Sequence, residues 1–418
     1  MKLSRFLFFL FIFVVILVSL NILLMIYMTQ SRINALNDFK KFNFQYKVNE
    51  DSFLSIHDLP EDKSGEYYVH KNFIRAENAS SFTEVVLASH CTGDHLHHLV
   101  SLSDIWQGPL SIAVFVPGRS LESTLTTLYI LYACFTKIRQ KTTVHLVHPV
   151  NALLNEQDLM FLIRKSGEIK AKCSRALKQI KNANKNLGKN YDKKVEYPNN
   201  LLRNIAKHGV EGRYSLVVDI DMIPNQALYT DFMIFATENN LFVDGNSFYS
   251  DKSVFVLPAF EVRSKGADYM PKDKRELVNL LDEGKVRPFY YDICRKCQRP
   301  TDYERWQSFV NYDKDMDVGY EIEWQDPWEP FFISPKSAPD YDERFRQYGF
   351  NRISHACELH IAGYQYFVLD RGFLLHRGFK NKESFHKTKN EENNKNRMLF
   401  RTFKTELKDK YPKSLNRC

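Results

Sequence analysis

Three apolar runs, separated by stretches of helical spacing, constrain this chain most. Leu110-Ser-Ile-Ala-Val-Phe-Val116 reads as a buried strand ended by Pro117-Gly118, Thr142 to Val147 as a second, and Tyr214-Ser-Leu-Val-Val-Asp-Ile220 as a third. Between them, Leu121 to Ile138, Glu156 to Lys165 and Asn199 to Lys207 carry apolar residues at the helical period. Strands alternating with helices predict an α/β domain with a mostly parallel central sheet covered on both faces. Such sheets bind ligands at the carboxyl ends of their strands. After Asp221 the pattern becomes irregular and rich in aromatic residues, as expected of a second, ligand-binding half on the same sheet.

The N-terminus carries a different signal. Phe6 to Met28 is apolar apart from Ser19 and Asn21. At about 1.5 Å per residue it reaches roughly 34 Å, enough to cross a hydrocarbon core of about 30 Å. The run is too long for a cleaved signal peptide and ends in Tyr27-Met28-Thr29-Gln30, without a small-residue cleavage site. We read residues 1–5 as a cytosolic tail, 6–28 as an uncleaved transmembrane signal anchor, 29–85 as a stem, and 86–418 as the folded domain. Lys2 and Arg5 before the span are balanced by Arg32, Lys40 and Lys41 after it, so nearby charge does not set the orientation. Translocation of the large downstream domain makes this a single-pass type II protein with a lumenal body. Asn78-Ala79-Ser80, an N-glycosylation acceptor, and seven scattered cysteines that suit a few disulfides favour the lumen as well. The odd cysteine count leaves at least one free thiol or an intermolecular bridge. Cys294-Arg-Lys-Cys297 lacks a second C-x-x-C and reads as a small structural disulfide, or as two cysteines paired with others, rather than a zinc or redox site.

The net charge of +8 gathers between Lys165 and Lys194. No nucleic-acid-binding motif accompanies this run, so it reads as a solvated helix and loop, and nucleic acid is not an expected partner.

The chemistry is concentrated in Val217-Val-Asp-Ile-Asp-Met-Ile-Pro224. Two carboxylates one residue apart, at the end of an apolar strand, put oxygen ligands where a sheet opens. A divalent cation held there can also take two phosphates and neutralise a departing nucleoside diphosphate. Haloacid-dehalogenase-type phosphatases also place D-x-D after a strand, but there the motif opens the domain. Here Met222 follows it and about a hundred residues of α/β pattern precede it.

Around this motif the chain resembles glycosyltransferase family 49, which includes the second domain of the LARGE-type enzymes. The resemblance rests on Asn200-Leu-Leu-Arg-Asn204, Val218-Asp-Ile-Asp-Met222, Leu257-Pro-Ala-Phe-Glu261, Gly284-Lys-Val-Arg-Pro-Phe-Tyr-Tyr291 and Trp324-Gln-Asp-Pro-Trp-Glu-Pro330. Phe345 to Ile353, Cys357-Glu-Leu-His360 and His376-Arg-Gly-Phe379 continue it to the C-terminus. It implies a Rossmann-like GT-A glycosyltransferase fold, Mn²⁺, UDP-glucuronate as donor, and a xylose-terminated O-mannosyl glycan on a dystroglycan-like glycoprotein as acceptor. It also implies residence in the Golgi membrane and a LARGE-type glycosyltransferase as possible partner. Asp219, Asp221 and His376 would hold the metal, with Arg203 and Asn204 beside the donor. Inversion at the anomeric carbon needs a base, for which Glu329, Asp342, Glu343 and Glu358 stand unranked. Trp324 and Trp328, with Glu329, form a candidate acceptor wall. Arg263, Lys272 and Arg287 are candidates to meet the donor's carboxylate, which is costly to bury unpaired. The same fold could take another UDP-sugar (xylosyl, glucosyl or N-acetylglucosaminyl), or persist as a non-catalytic Golgi scaffold or lectin.

Overall fold

The computed structural model describes residues 18–27, 62, 64–79, 84–117, 120–151, 161, 163, 165, 171–186, 195–263, 270–310, 315–381 and 387–418. The chain divides into two compact units, 1–46 and 47–418. In the first, residues 18–27 are helical and exposed; the remainder of the expected anchor lies outside the described residues. Among the described residues no helix is long and apolar enough to cross a membrane.

Among the described residues the second unit contains thirteen strands: β1 Tyr67–Ile74, β2 Val85–Thr92, β3 Leu110–Phe115, β4 Thr142–Pro149, β5 Tyr214–Asp219, β6 Met222–Pro224, β7 Ser253–Leu257, β8 Ala259–Val262, β9 Val286–Pro288, β10 Val318–Ile322, β11 Phe331–Pro335, β12 Gln365–Leu369 and β13 Leu374–Arg377. The α-helices are α1 His98–Ile105, α2 Leu121–Cys134, α3 Thr136–Lys141, α4 Ala176–Ala183, α5 Asn199–Gly209, α6 Leu228–Glu238, α7 Lys274–Asp282, α8 Arg295–Gln298, α9 Tyr303–Ser308, α10 Asn351–Ile361 and α11 Lys389–Lys410. Nine strands form one sheet in the order β1-β4-β3-β2-β5-β11-β7-β12-β10, and β6-β13-β8-β9 form a second.

The expectation of a mostly parallel sheet holds for β2 to β5 and again for the β7–β12 pair, but not for the rest. β4, β3, β2 and β5 run parallel, joined by helical crossovers. β11 then enters antiparallel to both β5 and β7, and β1 and β10 close the edges antiparallel. The reason lies in the connection: after Asp219 the chain leaves for the second sheet and returns to β5 from the opposite direction. Nor does the stem run to residue 85, because β1 is hydrogen-bonded to β4 from Tyr67↔Pro149 to Ile74↔Val144. Its alternating apolar residues, buried at Tyr67, Val69, Phe73 and Ile74, read as strand once that partner is known. Asn78 sits exposed in the turn after β1, while Ser80 of its tripeptide lies outside the described residues.

Packing follows the apolar patterns. α5 turns Leu201, Leu202, Ile205 and Ala206 onto Ala88, Ala113 and Val217 of the parallel strands. The second half has its own core, in which Val254, Phe260, Trp306, Trp328, Phe345 and Phe373 meet Phe400, Phe403 and Leu407 of α11. α4 buries Ala176 and Ile180 and leaves Arg175 and Lys178 exposed, so the described part of the basic run is a solvated face. Disulfides join Cys134 to Cys173, Cys294 to Cys297 and Cys357 to Cys418; Cys91 is the buried free thiol.

Candidate active site

β5 is apolar until its last residue, Asp219, at which the chain turns through Ile220 and Asp221 into β6. The two aspartates therefore stand where the two sheets part. β6 pairs with β13 at Met222↔His376, which brings His376 beside Asp221 across 155 residues of sequence.

Asp221 Oδ2 lies 3.1 Å from His376 Nε2 and 3.6 Å from Lys380 Nζ, with 32% of its side chain exposed. Burial alone would raise its carboxyl, but the His376 hydrogen bond and the Lys380 charge hold it well below the usual carboxylate range. His376 Nδ1 lies 2.8 Å from Gly378 O. A carbonyl can only accept, so Nδ1 donates to it, and this fixes the ring with Nε2 turned toward the Asp221 carboxylate. Gly378, at φ +92°, takes the backbone conformation that returns its carbonyl to the ring. A carbonyl-braced imidazole opposite a carboxylate offers two groups of the kind that ligate divalent cations.

Asp219 has a different role. Its Oδ1 lies 2.8 Å from Arg352 Nη2, 3.1 Å from Arg203 Nη2 and 3.4 Å from His90 Nε2. Burial works to raise this carboxyl as well, and the two guanidinium charges together with His90 pull it well below the ordinary range. His90, on the neighbouring β2 directly opposite Asp219, is buried and held neutral by desolvation. Among the described residues no three His, Cys, Asp or Glu side chains are grouped closely enough to hold a metal ion. Asp221 and His376 thus form a pair, while Asp219 is compensated by arginines beside them.

The four base candidates separate clearly. Asp342 is bound by Arg344, Glu343 accepts from Asn204 Nδ2 at 2.8 Å, and Glu358 accepts from Lys410 Nζ at 2.6 Å and Tyr411 OH at 2.9 Å. These three brace α5, α10 and α11. Glu329, just before β11, is the one whose carboxyl is pushed up to about 7: burial is the largest cause, opposed by Arg352 and reinforced by Asp219. The same field reaches Tyr290, whose buried phenol is raised well above 10 by burial and then by Glu329.

Other expected site residues turn out to be framework. Arg203 and Asn204 are buried: Arg203 spans Asn200 and Asp219, and Asn204 clamps Tyr341 and Glu343. Trp328 is 0% and Trp324 8% exposed, both inside the second core. Trp328 Nε1 donates to Thr301 and Trp324 stacks on His360, so neither offers a face to a sugar. Arg287 is consumed by Glu261, Asp292 and the Lys380 carbonyl, and Arg263 reaches Gly284 O.

The sequence reading missed Arg352, Lys380, His90, Tyr290 and Glu261. Glu261 is fully buried, pairs with Arg287 at 2.8 Å, and accepts from the backbone N–H groups of Tyr290 and Lys380. It ties both segments to the site. It also missed the turn Asp94-His95-Leu96-His97-His98, where His95 is raised by Asp94 and further by Asp221. His98 is lowered to about 4, by burial first and then by His97. The histidine-rich run and the H-x-G-x-K spacing from His376 to Lys380 were legible, but nothing in the sequence joined them to Asp221.

The comparisons with known proteins define the class: the chain is a glycosyltransferase. The chain belongs to the family described as "Glycosyl-transferase for dystroglycan", matched over residues 84–412. It is 42% identical over 370 residues to the beta-1,4-glucuronyltransferase 1 of Danio rerio, covering 85% of this chain and 83% of that protein. It is 25% identical over 344 residues to the human xylosyl- and glucuronyltransferase LARGE1, covering 82% of this chain and 36% of the relative. Among solved structures, Staphylococcus aureus TarS in complex with UDP-GlcNAc gives a TM-score of 0.36 at 11% identity, over 77% of this chain and 66% of that one. A superposition that loose carries no argument.

Proposed function

We propose that this glycosyltransferase moves glucuronate from UDP-glucuronate, with inversion, to a xylose-terminated O-mannosyl glycan on a dystroglycan-like glycoprotein. In this reading the domain has a GT-A fold, faces the Golgi lumen behind its N-terminal anchor, and prepares the acceptor for a LARGE-type enzyme. The observation that carries it is Glu329, a carboxyl poised at about 7 in the field of Asp219, Arg352 and Lys380, in a chain related over most of its length to beta-1,4-glucuronyltransferase 1.

Asp221 and His376 would hold Mn²⁺, which when bound neutralises charge on the donor's diphosphate. Lys380, 3.6 Å from Asp221, places a second positive charge where the leaving UDP gains negative charge. Arg352 and Arg203 keep Asp219 ionised and fixed. Glu329 takes the proton from the acceptor hydroxyl as that oxygen attacks the anomeric carbon. Its raised pKa keeps it basic enough for this near neutrality.

A donor panel tests the reading. The purified lumenal domain, offered UDP-glucuronate, UDP-xylose, UDP-glucose and UDP-N-acetylglucosamine with a β-xyloside, should use the first with Mn²⁺ and lose activity to a chelator. Asp221→Asn should abolish transfer while leaving the fold intact. Full activity in that variant, or transfer of another sugar alone, overturns the assignment.

A further inference from the structure

Cys294-Arg-Lys-Cys297 is closed by a disulfide. A bond spanning only three residues removes little entropy from the unfolded chain, far less than Cys134–Cys173 or Cys357–Cys418, which span 39 and 61. Global stability therefore does not account for it, and its local contacts offer another role. Upstream, the N–H groups of Ile293 and Cys294 both donate to Tyr290 O, at 3.0 and 2.9 Å. Downstream, Cys297 O accepts from Glu329 N at 3.0 Å, and the buried Gln298 donates through Nε2 to Glu329 O at 3.1 Å. A few residues on, Thr301 Oγ1 accepts from Trp328 Nε1 at 3.0 Å.

Both backbone polar groups of Glu329 are thus held by the cystine turn and the residue after it. Tyr290, at the other end of the same turn, takes φ +59° and has its own N–H held by Glu261. The turn is a short rigid bridge between two residues that share the site. Without the covalent closure, α8 would be a single four-residue turn, too short to persist unaided. Cys297 is buried and Cys294 partly exposed, so the bridge lies at the site's edge with its inner sulfur in the core.

We infer that the Cys294–Cys297 disulfide and Gln298 are positioning elements for transfer, fixing the backbone of Glu329 against Tyr290 so that the carboxylate meets the acceptor hydroxyl. This rests on the reading of Glu329 as the base. The carboxylate must sit within hydrogen-bond reach of its proton, and a displacement of about 1 Å can cost on the order of 100-fold in rate. Freed from the turn, Glu329 also gains water and moves away from Arg352, Asp219, Arg203, Lys380, Tyr290 and Tyr348, the charged and titratable groups that share its field.

The test is the double variant Cys294→Ser/Cys297→Ser, with the other two disulfides intact, beside Gln298→Ala, which cuts one hydrogen bond and keeps the cystine. We expect kcat to fall by roughly 10- to 100-fold. Mn²⁺-dependent UDP binding by calorimetry should stay within about twofold, because Asp221, His376 and Lys380 lie outside the turn. The acid limb of the kcat profile should move from about 7 toward the ordinary 4.5 of a glutamate. A merely structural disulfide would lower the melting temperature and the folded fraction but leave the limb in place. Wild-type kcat and an unmoved limb in both variants overturn the inference, as does a double variant that fails to fold beside a Gln298→Ala protein with an unmoved limb. Glu329→Gln separates the two readings: if it stays active, the assignment of the base fails, whereas if it is inactive and the turn variants behave as wild type, only the positioning role fails.

Discussion

Glu329 gives the sharpest quantitative expectation. Its carboxyl is lifted from 4.5 to about 7, a preference for the protonated form of roughly 3 kcal/mol. If Glu329 must be ionised to accept the acceptor's proton, only about a tenth of the enzyme is competent at pH 6 and about nine tenths at pH 8. Under donor saturation, kcat should therefore rise about tenfold between those values, with a limb near 7. A carboxylate of ordinary pKa would be ionised throughout that window and give a flat line. Glu329→Gln removes the base and should cost on the order of 100- to 10,000-fold in kcat with little change in donor KM. The same shift has a sign for stability. Because the folded-state value lies above the ordinary one, the stability that Glu329 contributes is complete below about pH 4.5 and is lost as pH rises through about 7. Glu329→Gln should therefore melt higher than wild type at pH 8 and close to it at pH 5. Calorimetric scans and a UDP-release assay across pH 5–9 read both effects. A flat profile, or a Glu329→Gln enzyme with more than about a tenth of wild-type kcat, refutes the reasoning.

Three further outcomes can be checked with purified protein. Lys380→Ala should weaken UDP binding by about tenfold without loss of fold, since it removes one charge beside Asp221 and, apart from its ammonium lying over the Phe289 and Tyr290 rings, is held through its backbone; unchanged affinity in a calorimetric titration would remove Lys380 from the diphosphate site. Arg352→Met leaves Asp219 with a single arginine and should cost about 1–3 kcal/mol in denaturant unfolding, the lower end favoured because 37% of the Asp219 side chain is exposed. Cys357→Ser/Cys418→Ser frees the C-terminus behind α11 from α10 and should destabilise by about 2–4 kcal/mol, measurable as a lower urea midpoint.

Much of the fold could be read directly. β3, β4, β5 and α5 fall where apolar runs and helical spacing predicted, because each is a local pattern whose period reports the face it buries. The D-x-D at the end of β5 was legible for the same reason: two acidic residues break an otherwise apolar strand. β1 was hidden in the expected stem because its partner, β4, lies about seventy residues away, and an edge strand of mixed burial looks like any polar segment until it is paired. Trp324 and Trp328 misled for a related reason. Aromatic residues beside carboxylates look alike in sequence whether they line a sugar site or fill a core, and burial alone separates the two.

The sequence by itself determined the local chemistry: three strands of the parallel half of the sheet, residues that could bind a cation, and a set of carboxylates that could move a proton. Only the tertiary structure decided among them, since pKa and accessibility depend on neighbours from distant parts of the chain. Glu329 differs from Glu358 because the first, half-buried, has no cation bound to it among the described residues and lies in the field of Asp219, while the second, fully buried, is paired with Lys410 and Tyr411. Asp219 differs from Asp221 because Arg203 and Arg352 converge on the first and His376 with Lys380 on the second. Electrostatic energies fall with distance in space rather than along the chain, so these distinctions arise only when β5, β11, β13 and α10 meet.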